Sequence, residues 1–262
     1  HYRIRKITPE GIITTIGGNG SRGNVGNNIP ALEANFYNVT TLIQNSTGDT
    51  FMLSPSGFVS LIRRLDKKGV IHDYLETADE NYLEAISKSK YKGLVQTGSV
   101  ATITQFSDIV FDPKGNLFIS DRLNHQIRTI DTKGNISTIA GTGDSDHDGD
   151  GGPALEATFR DPNNLATDML GNLYIADTAN NMIRKIDTKG IVTTIAGNGE
   201  HNDSGDGGPA LEAGIRSMDD IEFSPDGELH ILGTNTHKVR KITEDGKIFT
   251  VAGKGYAGFF GD

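Results

Sequence analysis

The strongest chemical signal in the sequence is a run of alternating acids in a glycine-rich segment. The four carboxylates occur at every second position of Asp-Ser-Asp-His-Asp-Gly-Asp-Gly-Gly, and they are Asp144, Asp146, Asp148 and Asp150. Alternating carboxylates followed by glycine can wrap a calcium ion in oxygen ligands, as the EF-hand loop does. However, no helical pattern flanks the run, and Glu156 falls one residue away from the bidentate position. Two alternatives stay open: a calcium site and a solvated acidic loop.

The other reactive residue types form no recognisable catalytic set. The chain has no Cys, which excludes thiol nucleophiles, disulfides and Cys-based zinc sites. The seven His residues show no His-x-x-x-His spacing. Neither a Gly-x-Ser-x-Gly sequence nor a phosphate-binding Gly-x-x-x-x-Gly-Lys loop is present. We therefore expect no catalytic residue, and no cofactor other than the calcium considered above.

Five Asn-x-Ser/Thr sequences could accept an N-linked glycan if the chain passes through a secretory pathway. They begin at Asn19, Asn38, Asn45, Asn135 and Asn202. Asn38 and Asn45 lie in the part of the chain that diverges most from its internal repeat. We regard those two as the leading candidates for glycosylation.

The composition favours short strands and limits the classes of partner. The 262 residues include 33 Gly, only 7% aromatic residues and a net charge of −9. Because Gly usually makes up about 7% of a protein, this excess disfavours a helical bundle and suits strands joined by tight turns. The acidic balance makes nucleic acid an unlikely partner, since non-specific binding of phosphates depends on Lys and Arg. No apolar run is long enough to span a membrane.

A long internal repeat organises the chain. The phrase Ile-Arg-Lys-Ile-Asp at 183–187 is followed by Lys189-Gly190 and by a β-branched run at 192–196. Similar phrases begin at Ile4, Ile62, Ile127 and Val239, and the five anchors are separated by 58, 65, 56 and 56 residues. A period of this size is typical of repeat architectures.

Each repeat predicts four short strands. In the unit over 159–200, the predicted strands lie at 164–167, 173–176, 182–186 and 192–196, with Gly171 and Gly190 in two of the turns. Four antiparallel strands repeated radially describe the blades of a β-propeller. A β-solenoid is the less favoured alternative, because its coil is usually shorter.

The repeated phrase resembles a known module. Residues 171–177 read Gly-Asn-Leu-Tyr-Ile-Ala-Asp, and Asn180-Asn181 and Ile-Arg-Lys-Ile at 183–186 follow. This pattern resembles the NHL repeat, which forms propellers. The phrases at 194–199 and 205–213 are similar to a longer form of that repeat, found in bacterial and eukaryotic surface or secreted proteins. The resemblance covers 105–262 and 1–34, whereas residues 35–104 lack the Gly-Asn-Leu-Tyr phrase.

We therefore predict an all-β fold, a single NHL-type β-propeller of four-stranded antiparallel blades over 1–262. The predicted parts are a half-blade at 1–24, a divergent blade with an insertion at 25–104, and blades at 105–150, 151–206 and 207–262, the last including the start of the next linker. These are four complete blades plus one half-blade, which we interpret as part of a six-bladed ring in a longer chain. A five-bladed ring with one incomplete blade, or completion by a neighbouring chain, are the alternatives.

Repetition separates scaffold residues from candidate functional ones. Five arginines share one phase of the repeat, namely Arg5, Arg63, Arg128, Arg184 and Arg240. Such repetition predicts packed arginine stems whose guanidinium groups meet a carboxylate. Asp121 and Asp177 are the expected partners in two repeats, whereas Ser56 and Gly233 take that phase in two others.

The resemblance implies a non-catalytic extracellular or cell-surface module, a rigid propeller that presents loops to a protein or glycan partner. Contacts are expected on segments that break the repeat, such as 76–104. Three alternatives remain. The chain could be a subunit of an extracellular fibre or assembly that neighbouring chains complete. It could be a metal-dependent propeller enzyme of lyase or lactonase type, or an RNA-binding NHL domain, which the acidic balance disfavours.

Overall fold

The computed structural model describes residues 1–56, 59–76 and 106–258. The predicted insertion at 76–104 lies, apart from residue 76, outside these residues, so its predicted role in partner contacts stays a prediction. In the described ranges the regular elements are β-strands and short 3₁₀ turns. No helix there is long and apolar enough to cross a membrane. The chain divides into two compact units, His1–Phe106 and Ser107–Asp262.

The first unit contains a two-stranded and a five-stranded antiparallel sheet. The small sheet pairs β1 (Ile4–Ile7) with β2 (Ile13–Gly17). The larger sheet has the order β3-β7-β6-β5-β4, formed by β3 (Ile29–Pro30), β4 (Thr41–Gln44), β5 (Thr50–Ser56), β6 (Val59–Leu65) and β7 (Val70–Glu76). Apolar residues from both sheets, including Ile4, Met52 and Ile71, pack into one buried cluster.

Three four-stranded antiparallel sheets form the second unit, although the first strand begins at Phe106. The first sheet contains β8 (Phe106–Phe111), β9 (Leu117–Asp121), β10 (Gln126–Ile130) and β11 (Ile136–Ala140). The second contains β12 (Pro162–Thr167), β13 (Leu173–Asp177), β14 (Met182–Ile186) and β15 (Val192–Ala196). The third contains β16 (Asp220–Phe223), β17 (Leu229–Gly233), β18 (Lys238–Ile242) and β19 (Ile248–Ala252). In each sheet the strands lie side by side in chain order.

The all-β prediction is confirmed, and so are the four strands of the 159–200 repeat. Strands β14 and β15 have the predicted bounds, while β12 begins two residues earlier than expected. The extension arises because Pro162 pairs with Asp177 across a register shift. A proline at the first residue of a strand is tolerated since its missing N–H is not needed there.

Within the second unit, both faces of the middle sheet carry apolar side chains, and its sheets pack on one another. Ala166, Tyr174 and Ile183 of the second sheet belong to the same buried cluster as Ile221 and Ile231 of the third. Sheets with two apolar faces need a neighbour on each side to remove both faces from water. Because a whole sheet packs against its neighbour, the repeating unit of the sequence is a four-stranded sheet rather than a single strand.

The Gly-Pro-Ala-Leu-Glu-Ala linker joins the last strands of successive sheets. Ala154, which is 2% exposed, donates its N–H to the carbonyl of Gly190 at 2.8 Å, and its own carbonyl accepts the N–H of Gly141 at 2.9 Å. Gly141 follows β11 and Gly190 precedes β15. The linker thereby replaces water as the hydrogen-bond partner of both strand ends. Ala31 and Ala210 occupy the equivalent positions.

One expectation about repeat phase is wrong. The register of β5 with β6 pairs Leu53 with Ile62 and Ser54 with Leu61. Ser54, rather than Ser56, therefore occupies the phase that Asp121 takes in the first sheet of the second unit. The error arises because β5 and β6 each span seven residues. Strands β9 and β10 are shorter and are joined by a 3₁₀ turn at Arg122–Asn124.

Substitution of Gly197 tests how strictly the linker geometry constrains the backbone. It has φ of +94°, and a Cβ atom there would lie 2.2 Å from the carbonyl oxygen of Asn181. Gly190 has φ of +81° with no atom within 4 Å of such a Cβ. We expect Gly190→Ala to cost about 1 kcal/mol from left-handed backbone strain. Gly197→Ala should cost about 3 kcal/mol, since a steric clash adds to that strain. Urea unfolding followed by circular dichroism measures both, and equal losses would contradict the steric argument.

Candidate functional site

The repeated arginines occupy the centre of each sheet at a common irregularity. In the pairing of β10 with β11, the register shifts between Ile127 and Arg128. The same shift precedes Arg184 in the second sheet of this unit and Arg240 in the third. A bulge re-aims the side chain that follows it. Three long cationic side chains are thereby directed into the interior, where they are at most 4% exposed.

In the first sheet of the second unit, the buried cation is balanced by the strand beside it. The Nε of Arg128 donates to Asp121 at 3.1 Å, and the carboxylate is fully buried. Asn124 donates to both oxygens of the same carboxylate, at 3.1 and 2.9 Å. A buried ion pair needs such additional hydrogen bonds to offset its desolvation. The predicted partnership of Arg128 with Asp121 is confirmed.

In the second sheet, Arg184 has two carboxylate partners. It lies 3.6 Å from Asp177, its predicted partner, and 2.9 Å from Asp150 of the acidic linker. Asp177 also accepts hydrogen bonds from the Arg160 N–H at 2.7 Å and from the Asn180 side chain at 2.9 Å. Burial raises the pKa of Asp177 to about 6, although those hydrogen bonds and Arg184 oppose the shift. The pKa of Asp177 therefore lies closer to neutrality than that of an exposed aspartate.

In the third sheet the linker supplies both carboxylates. Arg240 lies 2.7 Å from Asp206 and 3.2 Å from Asp203. Gly233 occupies the phase of Asp177 and contributes no charge, and Thr236 fills the space beside it: a Cβ on Gly233 would lie 2.3 Å from the Thr236 hydroxyl oxygen. The charge requirement of the arginine is thus met from another part of the chain.

In the first unit, the carboxylate that pairs with the repeated arginine lies on the last strand in chain order. The Nε of Arg63 donates to Asp73 on β7 at 3.0 Å. The other sheets have Thr138, Thr194 and Thr250 opposite this arginine. The linker position of Asp150 is taken here by Asn27, whose side-chain oxygen accepts the N–H of Asp73 at 3.0 Å. Compared with the second sheet of the other unit, the carboxylate lies on the last strand and the uncharged side chain lies on the linker. The arginine therefore still has an ion-pair partner.

The four aspartates of the predicted calcium site have different partners. Asp150 binds Arg184 with one oxygen and accepts the Thr194 N–H with the other, at 3.0 Å. Asp146 lies 3.0 Å from His147, and Asp144 accepts the Thr142 hydroxyl at 3.4 Å. Asp148 is exposed, and its backbone carbonyl accepts a hydrogen bond from Arg184. In the part of the chain that the structure describes, no three His, Asp or Glu side chains are gathered as a metal centre. Calcium binding by these aspartates stays a prediction.

The five predicted glycosylation sites differ in how their side chains are engaged. The Nδ2 of Asn19 donates to the Glu33 carbonyl, that of Asn135 to Asp131, and that of Asn202 to Glu200. Asn45 accepts two hydrogen bonds within its own turn, and Asn38 is exposed on the surface. Asn19 and Asn135 are exposed as well, so the lack of a recorded side-chain hydrogen bond in the described ranges is what favours Asn38, and glycosylation at each of the five stays a prediction.

An exposed apolar turn is a candidate contact that the sequence interpretation passed over. Met169 and Leu170 form the tip between β12 and β13 and are 90% and 79% exposed. Asp168 fixes this turn by accepting the N–H groups of Leu170 and Asn172 at 3.0 and 2.8 Å. Comparison between repeats would have found the tip, because the equivalent turn at 112–116 is built by the same hydrogen bonds but carries Pro113 and Lys114.

Asp150→Asn distinguishes a role beside Arg184 from a role in calcium binding. Burial would raise the pKa of Asp150, but Thr194 and Arg184 outweigh it, so that the pKa is lowered. A lowered pKa means that the carboxylate stabilises the fold at neutral pH and that this contribution is lost as the pH falls below about 4. We expect Asp150→Asn to cost about 1 kcal/mol at pH 7, because the Asp150 carboxylate is half-exposed, and less at pH 3.

The stability of the Asp150→Asn variant is measured by thermal unfolding in excess calcium chloride and in EDTA. The loss should be equal in both buffers, and Asp144→Asn, as a control remote from Arg184, should be close to neutral. A loss for Asp150→Asn that is seen only with calcium would assign this carboxylate to the metal instead.

Comparisons with known proteins agree with the repeat. Residues 141–206 match the family model of the Teneurin NHL domain. The chain is 28% identical to teneurin-1 of Gallus gallus over 258 residues, which cover 93% of this chain and 9% of that protein. It is 31% identical to teneurin-1 of Homo sapiens over 166 residues, 56% of this chain and 6% of that protein. The chain thus spans less than a tenth of the length of these relatives.

Among solved structures, the fold is similar to that of virginiamycin B lyase from Staphylococcus aureus. The TM-score is 0.52 at 18% sequence identity, over 95% of this chain and 62% of that chain. At this identity the likeness concerns the fold alone. The repeated strands, the shared linker and the matched teneurin NHL model together support the resemblance to NHL-repeat proteins.

Proposed function

We propose that the chain is a non-catalytic interaction module, displayed outside the cell, that presents the turns of a rigid β-sheet scaffold to a protein partner. The observation that carries this proposal is the apolar turn tip at Met169 and Leu170, held open to solvent by Asp168. Methionine and leucine on a fixed turn suit an apolar contact on another protein. The extracellular location is supported by the resemblance to surface and secreted NHL proteins and by the teneurin matches.

The proposal of a scaffold rather than an enzyme is supported by where the charged groups are used. The buried arginines and their carboxylates are paired with each other, as in Arg128 with Asp121 and Arg240 with Asp206. Groups committed to buried ion pairs are held in one geometry by the fold.

We further propose that the sheets are blades, four complete and one half, of a six-bladed ring. The packing of the second sheet of the second unit on the third through a common apolar cluster supports blade-like stacking. The fold likeness to the lyase structure supports it as well. A map of the intact protein in which the ring closes with a different number of blades would contradict this proposal.

Replacing the apolar tip by the polar turn of the neighbouring repeat tests the interaction proposal. The double substitution Met169→Pro and Leu170→Lys recreates the sequence of residues 112–116, so the turn geometry is kept. We expect the free energy of unfolding to change by less than about 0.5 kcal/mol. Binding of fluorescent tetramers of the chain to partner-bearing cells should fall at least about tenfold, as loss of an interface anchor predicts. Flow cytometry measures this binding.

Matched controls separate the tip from the rest of the surface. Lys114→Gln changes the equivalent turn of the preceding sheet and should leave cell binding unchanged. Protease treatment of the cells should abolish binding, whereas glycosidase treatment should not. Binding that survives the tip exchange, or that is lost only with the glycosidase, would refute a protein partner at this turn.

Glycosylation tests the extracellular location. If the chain is secreted, Asn38 should carry a glycan, because it is exposed and, unlike those of Asn19 and Asn135, its side-chain amide is not recorded in a hydrogen bond in the described part of the chain. Intact-mass spectrometry of protein from secreting eukaryotic cells should show a mass shift that glycosidase removes and that Asn38→Gln reduces. Asn135→Gln serves as the control, since the Asn135 side chain is bonded to Asp131 at 2.8 Å. Secreted protein without a glycan would contradict the assignment of Asn38.

A further inference from the structure

A small cavity lies in the third sheet of the second unit, beside the last residue of β17. Its volume is about 10 Å³, which is enough for one water-sized group. Its lining includes Gly233, Thr236, Arg216, Lys238 and Arg240. Because Arg216 is exposed, the cavity reaches the surface of the protein. Three of these five residues are cations, so the cavity is suited to an anionic group.

The space arises because two side chains are smaller here than in the second sheet. By the phase of the repeat, Gly233 takes the place of Asp177. Ile215, which also lines the cavity, takes the place of Phe159. In the second sheet the Phe159 ring centroid lies 5.4 Å from Cζ of Arg184. Both changes remove side-chain volume beside the repeated arginine, and the cavity therefore lies where the second sheet holds a carboxylate.

The residues around the cavity are more positive than their equivalents. The neutral Gly233 replaces a carboxylate. Lys238 adds a positive charge at the place of Met182. Asp203 adds a negative charge at the place of His147, which we count as neutral. The two additions cancel, so the lost carboxylate leaves this site one positive charge above the equivalent site in the second sheet.

The buried arginine of the third sheet contributes charge to the cavity rather than hydrogen-bond donors. The guanidinium of Arg240 donates to Asp203, to Asp206 and to the carbonyls of Ser204 and Gly214. A guanidinium has five N–H groups, and these bonds, together with the second contact to Asp206 at 2.7 Å, account for them. An anion in the cavity must therefore take its hydrogen bonds from the other two cations.

Lys238 and Arg216 supply those donors. The Nζ of Lys238 lies 2.6 Å from Asp203, which uses one of its three N–H groups. Arg216 is exposed, and within the ranges that the structure describes its guanidinium has no recorded hydrogen bond. The planar guanidinium presents paired N–H groups that match the two oxygens of a carboxylate. The donor set therefore favours a carboxylate over a spherical anion.

We propose that this cavity binds the carboxylate of a second molecule, in the place that the Asp177 carboxylate takes in the second sheet. One carboxylate oxygen matches the size of the cavity, and the rest of the ligand stays at the surface. Arg216 and Lys238 donate to the carboxylate, and the charge of Arg240 attracts it. Both a small free carboxylate and the aspartate side chain of a peptide carry this group.

This site is separate from the proposed protein contact at Met169 and Leu170. That tip lies in the turn between the first and second strands of its sheet, whereas the cavity adjoins the turn between the second and third strands of the next sheet. In an antiparallel sheet with strands in chain order, these two kinds of turn lie at opposite ends. Loss of one site should therefore leave the other intact.

Sodium formate is the direct probe of the cavity. It is titrated into the ¹⁵N-labelled full chain while sodium chloride is reduced to keep the ionic strength constant. We expect saturable shifts of the backbone amide resonances of 233–238 and of Arg216, with a dissociation constant on the order of 1 mM. The equivalent amides at 177–182 should not shift. The absence of saturable shifts at 233–238, or equal shifts at 177–182, would overturn the proposal.

Substitution of the two donors tests the recognition of the carboxylate. Arg216→Gln and Lys238→Gln should each weaken formate binding about tenfold, the effect of one hydrogen bond between charged groups. Arg160→Gln is the matched control, because Arg160 is exposed and has the phase of Arg216 in the second sheet. It should leave the affinity for formate unchanged. An affinity that survives Arg216→Gln, or that Arg160→Gln lowers equally, would contradict the assigned donors.

A tethered carboxylate should close the site to added formate. Gly233→Asp together with Thr236→Asn gives the third sheet the aspartate and asparagine of the second. Both changes are needed, since a Cβ on Gly233 would lie 2.3 Å from the Thr236 hydroxyl oxygen. Formate should no longer shift the amides of 233–238 in this double variant. Shifts that persist in the folded double variant would refute the proposal, and if it does not fold, Arg216→Gln at its exposed position decides.

Two blocked amino acids distinguish the sources of the carboxylate. Acetyl-aspartate amide carries the carboxylate on a peptide unit, and acetyl-asparagine amide is the same molecule without the charge. Shifts of 233–238 with the aspartate compound alone would show that a peptide side chain can enter. Shifts with formate and with neither compound would restrict the site to small free carboxylates. Equal shifts with both compounds would show that the carboxylate is not recognised and would overturn the proposal.

Discussion

The interior of each complete sheet is built around one constraint: a buried guanidinium must meet a carboxylate. Arginine stays charged, and leaving it unpaired inside the protein would cost several kcal/mol. The chain satisfies this requirement in different ways, with Asp121 on the adjacent strand, Asp206 on the preceding linker and Asp73 on the last strand. The position of the arginine is fixed by the bulge before it, while the source of the carboxylate can vary because several elements pass within reach.

This constraint also gives the acidic linker its shape. Asp150 accepts the Thr194 N–H with one oxygen and binds Arg184 with the other, so the linker is held against the sheet that follows it. The next turn, at Ala154, bonds to the end of one sheet and the start of the last strand of another. The linker and the arginine thus both hold neighbouring sheets together at the same place. An acidic segment that looks like a ligand-binding loop is, at Asp150, part of the scaffold.

Most of the strand arrangement could be predicted from the sequence because the repeat displays it several times. The strands at 182–186 and 192–196 and the Arg128–Asp121 pair follow directly from the phase of the repeat. The phase of Ser54 could not be read in this way, since β5 and β6 are longer than their equivalents. The pairing of Arg63 with Asp73 was also hidden, because it joins strands whose register depends on a bulge. The sequence contains Met169 at this turn, but only comparison with the equivalent turns distinguishes it as an apolar tip.

The positions that depart from the repeat are therefore the most informative ones. A residue that recurs in every sheet can be explained by the fold, so a departure at the same phase marks a place where the environment has changed. Gly233 departs, and the linker carboxylates Asp203 and Asp206 compensate for the missing aspartate. Arg5 keeps its residue type but has no compensating group in the described part of the chain. The arginine, the bulge and the left-handed Tyr2 are all those of a complete sheet.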